Sequence, residues 1–331
     1  MSRSVSVALQ GDKPAAEHAA LATLAEDLGF DTISVYADLG FQPALAPLLT
    51  IAAATHRARL GPAALNPGML HPVEIAGQIA ALDSASNGRA YLGLVRGAWL
   101  DAVGAELDRP VTRLRETVEI VRRLLRGDRS GFDGEIYKLA PGFGFEYPVL
   151  RPEIPLLIGS WGPRMLALAG EIADEVKVGG STNPALVPVI RERIAAGERR
   201  AARPEGSTGV VFGAVTVCAE DGDLARSLAR REAARYLPVV APLDPTVAIP
   251  PDILTRMDDL VLHGDIDGAA ELVPDDILDR FAFSGTPAQI AAQANALFAA
   301  GATRVEFGTP HGVTGAGGIR LLGEHVLPAI R

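Results

Sequence analysis

Short apolar runs alternate along the chain with longer stretches in which Leu, Ile, Val and Ala recur every third or fourth position. The short runs read as strands and the long ones as amphipathic helices, because a helix returns to the same face about every 3.6 residues. Eight strands are predicted, at 5–10, 32–36, 60–64, 90–95, 154–158, 175–178, 210–218 and 304–307. Leu21, Leu24, Ala25 and Leu28 trace one helical stripe, and Leu114, Val118, Val121 and Leu125 trace another. Gly29 and Gly301 each close an Ala- and Leu-rich helix ahead of a strand, as helix-ending glycines do. Thr286, Pro287 and Gln289 supply the N-cap, first-turn proline and capping-box partner of another helix. This alternation predicts an α/β protein with a parallel sheet, and eight strand–helix units predict a (β/α)8 TIM barrel.

Such a barrel needs roughly 250 residues, which leaves on the order of 80 for excursions. They fall at about 128–153 and 238–283, inside a single domain spanning 1–331. The second is too long for a plain connection and is expected to be either a lid over the active site or a helical packing insertion.

Composition narrows the class. With 331 residues, 48% of them apolar, the chain can bury a large core. A formal charge of −9 and a pI near 5.2 argue against nucleic acid as a partner. The arginine-rich run at 191–203 alternates with Ala and Glu at helical spacing and reads as a solvated helix face. No apolar run is long enough to span a bilayer, and the N-terminal MSRSVSVALQG lacks the order of a signal peptide, so a cytoplasmic protein is expected. Cys218 is the sole cysteine, which excludes an internal disulfide, and its apolar strand makes it a buried spectator.

The motifs of zinc hydrolases, serine esterases and P-loop NTPases are absent. His263, Asp265 and Asp267 read as a solvated turn, and no metal is expected. Lys177 is the one lysine placed for Schiff-base chemistry, but its strand is apolar. Chemistry is instead expected on the loops that follow the strands, at one rim of the sheet. Arg96 and Gly97 follow a strand directly; the guanidinium could grip a phosphate through two parallel bonds or pair with Asp38 or Asp101. Gly159, Ser160, Trp161 and Gly162 lead into a helix whose exposed N–H groups suit an anion. Gly179, Gly180 and Ser181 offer a similar edge after the next strand. The glycine run 308–318 resembles a phosphate loop only weakly, and Trp99 suits stacking on a flat ring or a dimer contact. Asp38, Asp101, His71, Glu306 and His311 are the acid–base candidates.

Four segments in fixed order, LGPAALNPGMLHP at 60–72, GRAYLGLVRGAWLD at 88–101, PLLIGSWGPRMLALAGEIADEVKVGG at 155–180 and SGTPAQIAAQANALFAAGATRVEFGTP at 284–310, resemble the bacterial luciferase-like superfamily. The likeness is greatest to its coenzyme F420-dependent branch, typified by methylenetetrahydromethanopterin reductase. That resemblance implies a cytoplasmic homodimeric oxidoreductase that passes a hydride between F420 and a small molecule with a C=C, C=N or C=O bond. It also implies a bulge over Ala63, Ala64 and Asn66 that supports the deazaflavin, with a cis peptide between Ala63 and Ala64. Arg96 and Gly97 would contact a flavin phosphate, and Asp38 would contact the ring. Two departures point away from a pterin substrate: Leu39 stands where the branch often has His, and Gln10 stands in place of a carboxylate. Within the same resemblance, the alternatives are an FMN-dependent monooxygenase and a non-catalytic flavin-binding protein.

Overall fold

The computed structural model describes residues 3–97, 100–105 and 108–331. Its strands are β1 (Ser4–Leu9), β2 (Thr32–Val35), β3 (Arg59–Pro62), β4 (Leu92–Val95), β5 (Phe132–Asp133), β6 (Lys138–Leu139), β7 (Leu156–Gly159), β8 (Glu175–Gly179), β9 (Gly209–Cys218), β10 (Ala282–Gly285) and β11 (Arg304–Gly312). The main sheet runs β3-β2-β1-β11-β9-β8-β7-β4, with every neighbouring pair parallel. Two parallel bridges, Leu60 with Ala90 and Leu65 with Leu94, join its ends and close the barrel. Each of the eight predicted strands is present as a stave of that barrel.

Parallel staves require crossovers, and the intervening helices supply them on the outside. Val5, Val7, Leu9, Ile33, Val35, Val176, Val178, Val305 and Phe307 point outward and merge with helix residues such as Leu21, Ile75, Val118 and Leu166 into one large core. The Thr286 capping box forms as expected, and Gly301 closes its helix at φ 110°. Cys218 is buried in this core, and burial pushes its thiol up to about 12, so it stays protonated.

The structure departs from the sequence reading at the 191–203 run and in the 238–283 excursion. The 191–203 run is only in part a solvated face: Arg199 and Arg200 are exposed and pair with Glu205 and Glu171, but Arg191 donates to the carbonyls of Thr208 and Gly301, Arg193 to that of Trp161, and Arg203 to those of Gly170 and Ala173. Long guanidinium stems reach carbonyls at helix and strand ends that would otherwise lack partners. The 238–283 excursion ends in an unpredicted strand, β10, which pairs with β9 beyond its barrel register. Met257, Ala269, Leu278 and Phe281 of this excursion bury themselves with Val217, Ala225 and Leu237 in a second core. The 128–153 excursion carries the small antiparallel pair β5 and β6.

Among the described residues no helix is long and apolar enough to cross a membrane. None of their His, Cys, Asp and Glu side chains gather in threes that could hold a metal. Asp265 instead caps the short helix Ile266–Glu271.

Candidate functional site

The loops after the strands meet at one mouth. Between β3 and β4 the ladder breaks: Leu60 to Leu65 spans five steps against four from Ala90 to Leu94, so one extra residue is accommodated as a bulge. The Ala63–Ala64 peptide within it is cis, as the family resemblance implied. The bulge depends on Gly93, where any Cβ would run into the Pro62 carbonyl. Asn66 folds its side-chain carbonyl onto the Gly68 N–H at 2.7 Å. Its amide nitrogen lies against Gly97, whose φ of 90° suits glycine alone.

Arg96 is exposed at this edge and lines a small cleft with Asn66, Pro67 and Arg113. Asp38 does not pair with it; the carboxylate accepts from the Gln10 amide at 2.9 Å. Trp99 and the side chain of Asp101 lie outside the described residues.

On the stave next to β4, Gly159 ends β7, and the Ser160 hydroxyl accepts from the Gly162 N–H at 3.1 Å, turning the chain into the helix Pro163–Ile172. The Trp161 indole donates to the Gly179 carbonyl at 3.0 Å and ties this loop to the end of β8. Nothing lies within 4 Å of the position a Cβ would take at Gly162 or Gly179. That wall is therefore bare backbone, into which a flat ring or an anion can approach closely. Gly180 packs under Tyr236 and Val240, at the base of the 238–283 segment.

Other candidates are drawn elsewhere. The Ser181 hydroxyl is buried; it donates to the Arg280 carbonyl and accepts from the Asn183 N–H, which leaves it no reach into the mouth. His71 caps the helix Pro72–Ala85, its Nδ1 accepting from the Val73 N–H at 3.2 Å, with its ring edge-on to Tyr137. That nitrogen is occupied, and its acceptor role places a proton on Nε2. His311 is buried, its Nε2 3.1 Å from the Ala8 carbonyl, and burial pulls it down to about 4, so it is neutral. The glycines at 312 and 318 pack the chain against itself, and Thr314 caps the short helix Gly315–Leu321.

Glu306 is not at the rim either. It lies sealed inside the barrel, ion-paired with Lys177, with its other oxygen accepting from the Ser34 hydroxyl at 2.6 Å and the Ser6 hydroxyl at 3.2 Å. Burial raises its carboxyl, but Lys177 and Arg304 outweigh that and hold it below the ordinary value. Lys177 is thus in a polar interior, contrary to the reading of its strand as apolar. Tyr91 joins the network through Ser34 at 2.8 Å, and Arg304 pairs with Glu175 at the far end. Lys177 also lies 4.9 Å from the centre of the Tyr36 ring. Tyr36 was missed by motif reading, although T-I-S-V-Y at 32–36 shows its signal, polar residues at every second position of a strand.

The sequence profile of the luciferase-like monooxygenase family matches residues 2–304. The 5,10-methylenetetrahydromethanopterin reductase of Archaeoglobus fulgidus is 33% identical over 93% of this chain and 94% of its own length. An F420-dependent glucose-6-phosphate dehydrogenase of Nakamurella multipartita is 33% identical over 56% of this chain and 59% of its own length. Among solved structures, the coenzyme F420-dependent tetrahydromethanopterin reductase of Methanopyrus kandleri superposes with a TM-score of 0.89 at 25% identity, covering 100% of both chains.

Proposed function

The chain belongs to the luciferase-like monooxygenase family, and from that premise we propose that it is a coenzyme F420-dependent oxidoreductase acting on a small organic substrate. Relatives that match most of the chain and relatives that match half of it share this cofactor by name while differing in substrate. The observation that supports the reading is the bulge after β3 on the same rim as the uncovered backbone at Gly162 and Gly179, which leaves room for a flat ring with a phosphorylated tail.

Bound there, F420 supplies a hydride from C5 of its deazaflavin to a substrate C=C, C=N or C=O bond. The chain's task is to bind, orient and exclude water. The bulge at Ala63 and Ala64, with Asn66 behind it, supports one face of the ring. Arg96 reaches the phosphate as an exposed fork, and the start of the helix Pro163–Ile172 adds its partial positive charge. Asp38, held by Gln10, stands at the rim as a fixed hydrogen-bond acceptor. The pterin of the reductases is not the proposed substrate, since Gln10 and Leu39 replace the groups that branch presents.

Fluorescence titration of the purified protein with F420 and, separately, FMN tests this. Micromolar F420 binding with turnover on some member of an unsaturated, imine and carbonyl panel is expected. Binding of FMN alone would make it a two-component monooxygenase, which the exposed Arg96 also suits. F420 binding without turnover would make it a carrier.

A further inference from the structure

Beneath the mouth sits a polar group that binding a cofactor does not account for. Tyr36 directly follows β2, and the pairing of Val35 with Pro62 sets it beside Ala63, where the bulge begins. Its ring rests on the Lys177 ammonium at 4.9 Å from the centroid, and that ammonium is ion-paired with Glu306. Glu306 is fixed in turn by the hydroxyls of Ser34 and Ser6. Gly213, on β9, leaves the space these two charged chains fill, since a Cβ there would meet Glu306 Cβ at 3.2 Å and Lys177 Cε at 3.3 Å. The Tyr36 hydroxyl has a comparable vacancy: a Cβ on Gly308 would lie 2.6 Å from it.

The phenol is therefore clamped from below and from the side. At its tip the clamp ends. Among the described residues the hydroxyl makes no hydrogen bond, and it is not one of the partnerless polar atoms sealed from solvent. A protonated donor without a partner, one residue past β2 and next to the proposed ring support, is suited to a ligand atom. Burial pushes its ionisation up, and Glu306 and Asp38 push the same way, so it keeps its proton across the neutral range.

We propose that Tyr36 is a catalytic residue: its hydroxyl donates a hydrogen bond to the substrate heteroatom and surrenders its proton as the hydride arrives at the adjoining carbon. Lys177 and Glu306 are the positioning pair that holds the ring. This rests on the hydride-transfer reading above and narrows the substrate to one whose reacting bond contains oxygen or nitrogen, a ketone, aldehyde or imine. The step balances: reduced F420 gives the carbon a hydride and its electron pair, the π pair of the double bond moves onto the heteroatom, and that atom takes the Tyr36 proton. The product is an alcohol or amine, the cofactor is left oxidised once its ring N–H proton passes to water, and the phenolate regains a proton from water, so that the two exchanges with solvent cancel.

Tyr36→Phe tests this, because it keeps the ring on Lys177 and removes one atom. The unheated protein should keep its thermal midpoint, and F420 affinity read by fluorescence should change less than twofold. With carbonyl or imine substrates kcat should fall on the order of 100-fold or more, with KM changing far less. An unreactive amide analogue of the substrate, titrated by calorimetry in the presence of oxidised F420, should bind about fivefold more weakly. The double variant Lys177→Met with Glu306→Gln should retain F420 binding while kcat falls about tenfold. Undiminished kcat in Tyr36→Phe, or turnover confined to hydrocarbon C=C bonds, overturns this proposal alone. Wild-type protein that binds FMN and not F420 overturns the functional reading and this one with it.

Discussion

Along β11 the outward residues are Val305 and Phe307 and the inward ones Arg304 and Glu306; along β8 they are Val176 and Val178 against Glu175 and Lys177; along β2, Ile33 and Val35 against Thr32 and Ser34. The same eight staves thus carry two interiors. The outer one, between strands and helices, is close-packed hydrocarbon and holds the fold through removal of apolar surface from water. The inner one holds ion pairs and hydroxyls where barrels of this class usually stack branched aliphatic residues. Desolvating charge is costly and is offset only when every partner is present, so the inner network contributes position more than stability. Among the described residues, Tyr91, Leu157 and Val211 form an apolar cluster within it.

This contrast breaks most sharply under truncation. Phe307, fully buried and edge-on to Phe283 at 5.1 Å, should cost about 4 kcal/mol as Phe307→Ala, read from the urea midpoint. Removing one inner partner should cost nearly as much for a different reason: Lys177→Met leaves Glu306 buried and unpaired, for about 3 kcal/mol. The two behave differently on repair. Adding Glu306→Gln to Lys177→Met should recover more than half the loss, since the orphaned charge is gone and the amide can still meet Ser34 and Ser6. No second polar change repairs Phe307→Ala. If the double variant is as unstable as the single, the inner network is a stabilising core like the outer one.

Much of the outer interior was legible in the chain, because its residues obey local periodicity: the stripe of Leu114, Val118, Val121 and Leu125 and the capping box at Thr286 needed no knowledge of the rest of the fold. The inner interior was written as plainly, in E-V-K-V at 175–178 and R-V-E-F at 304–307, yet those residues were read singly. Which face of a strand turns inward is decided when the barrel closes, and Lys177 meets Glu306 across 129 positions of chain. Spacing along the sequence cannot supply that pairing. Surface and rim failed differently: Ser181 and His71 carried suitable chemistry, but neighbouring backbone groups, the Arg280 carbonyl and the Val73 N–H, took their polar atoms first. Arg191, Arg193 and Arg203 were likewise claimed by carbonyls.

His311 sharpens the comparison through pH. It lies near the end of β11, buried and neutral, with burial lowering it to about 4 from an ordinary value near 6.5. The unfolded chain therefore binds the proton first, so stability is complete above about pH 6.5 and falls as pH drops toward 4. The loss across that window should be on the order of 2–3 kcal/mol, and His311→Asn should flatten it, Asn being tolerant of the positive φ of 73° at this position. Denaturant midpoints measured at pH 7.5, 6 and 5 give the slope. An unchanged slope in the variant would place the acid sensitivity in the carboxylates instead, Glu306 among them.

Arg96 lies outside both interiors, and its expected effect on the fold is nil. The side chain is exposed, so no apolar burial or sealed ion pair depends on it. What remains is a charge at the rim, one residue past β4 and beside the Asn66–Gly97 contact that fixes the loop's path. Arg96→Ala should leave the urea midpoint within about 0.5 kcal/mol of wild type. Its effect should be confined to F420 affinity, weakened by about 2 kcal/mol, the scale of a hydrogen bond to a charged group. Arg96→Lys should restore only part of that, because an ammonium presents a point charge where the guanidinium presents a planar fork. The salt dependence separates charge from geometry: if high salt abolishes the difference between wild type and Arg96→Ala, the residue attracts the cofactor without gripping it. A gain of affinity in Arg96→Ala, or a fall in stability comparable to that of Lys177→Met, would return Arg96 to the structural pairing with a carboxylate that its place after a strand equally allowed.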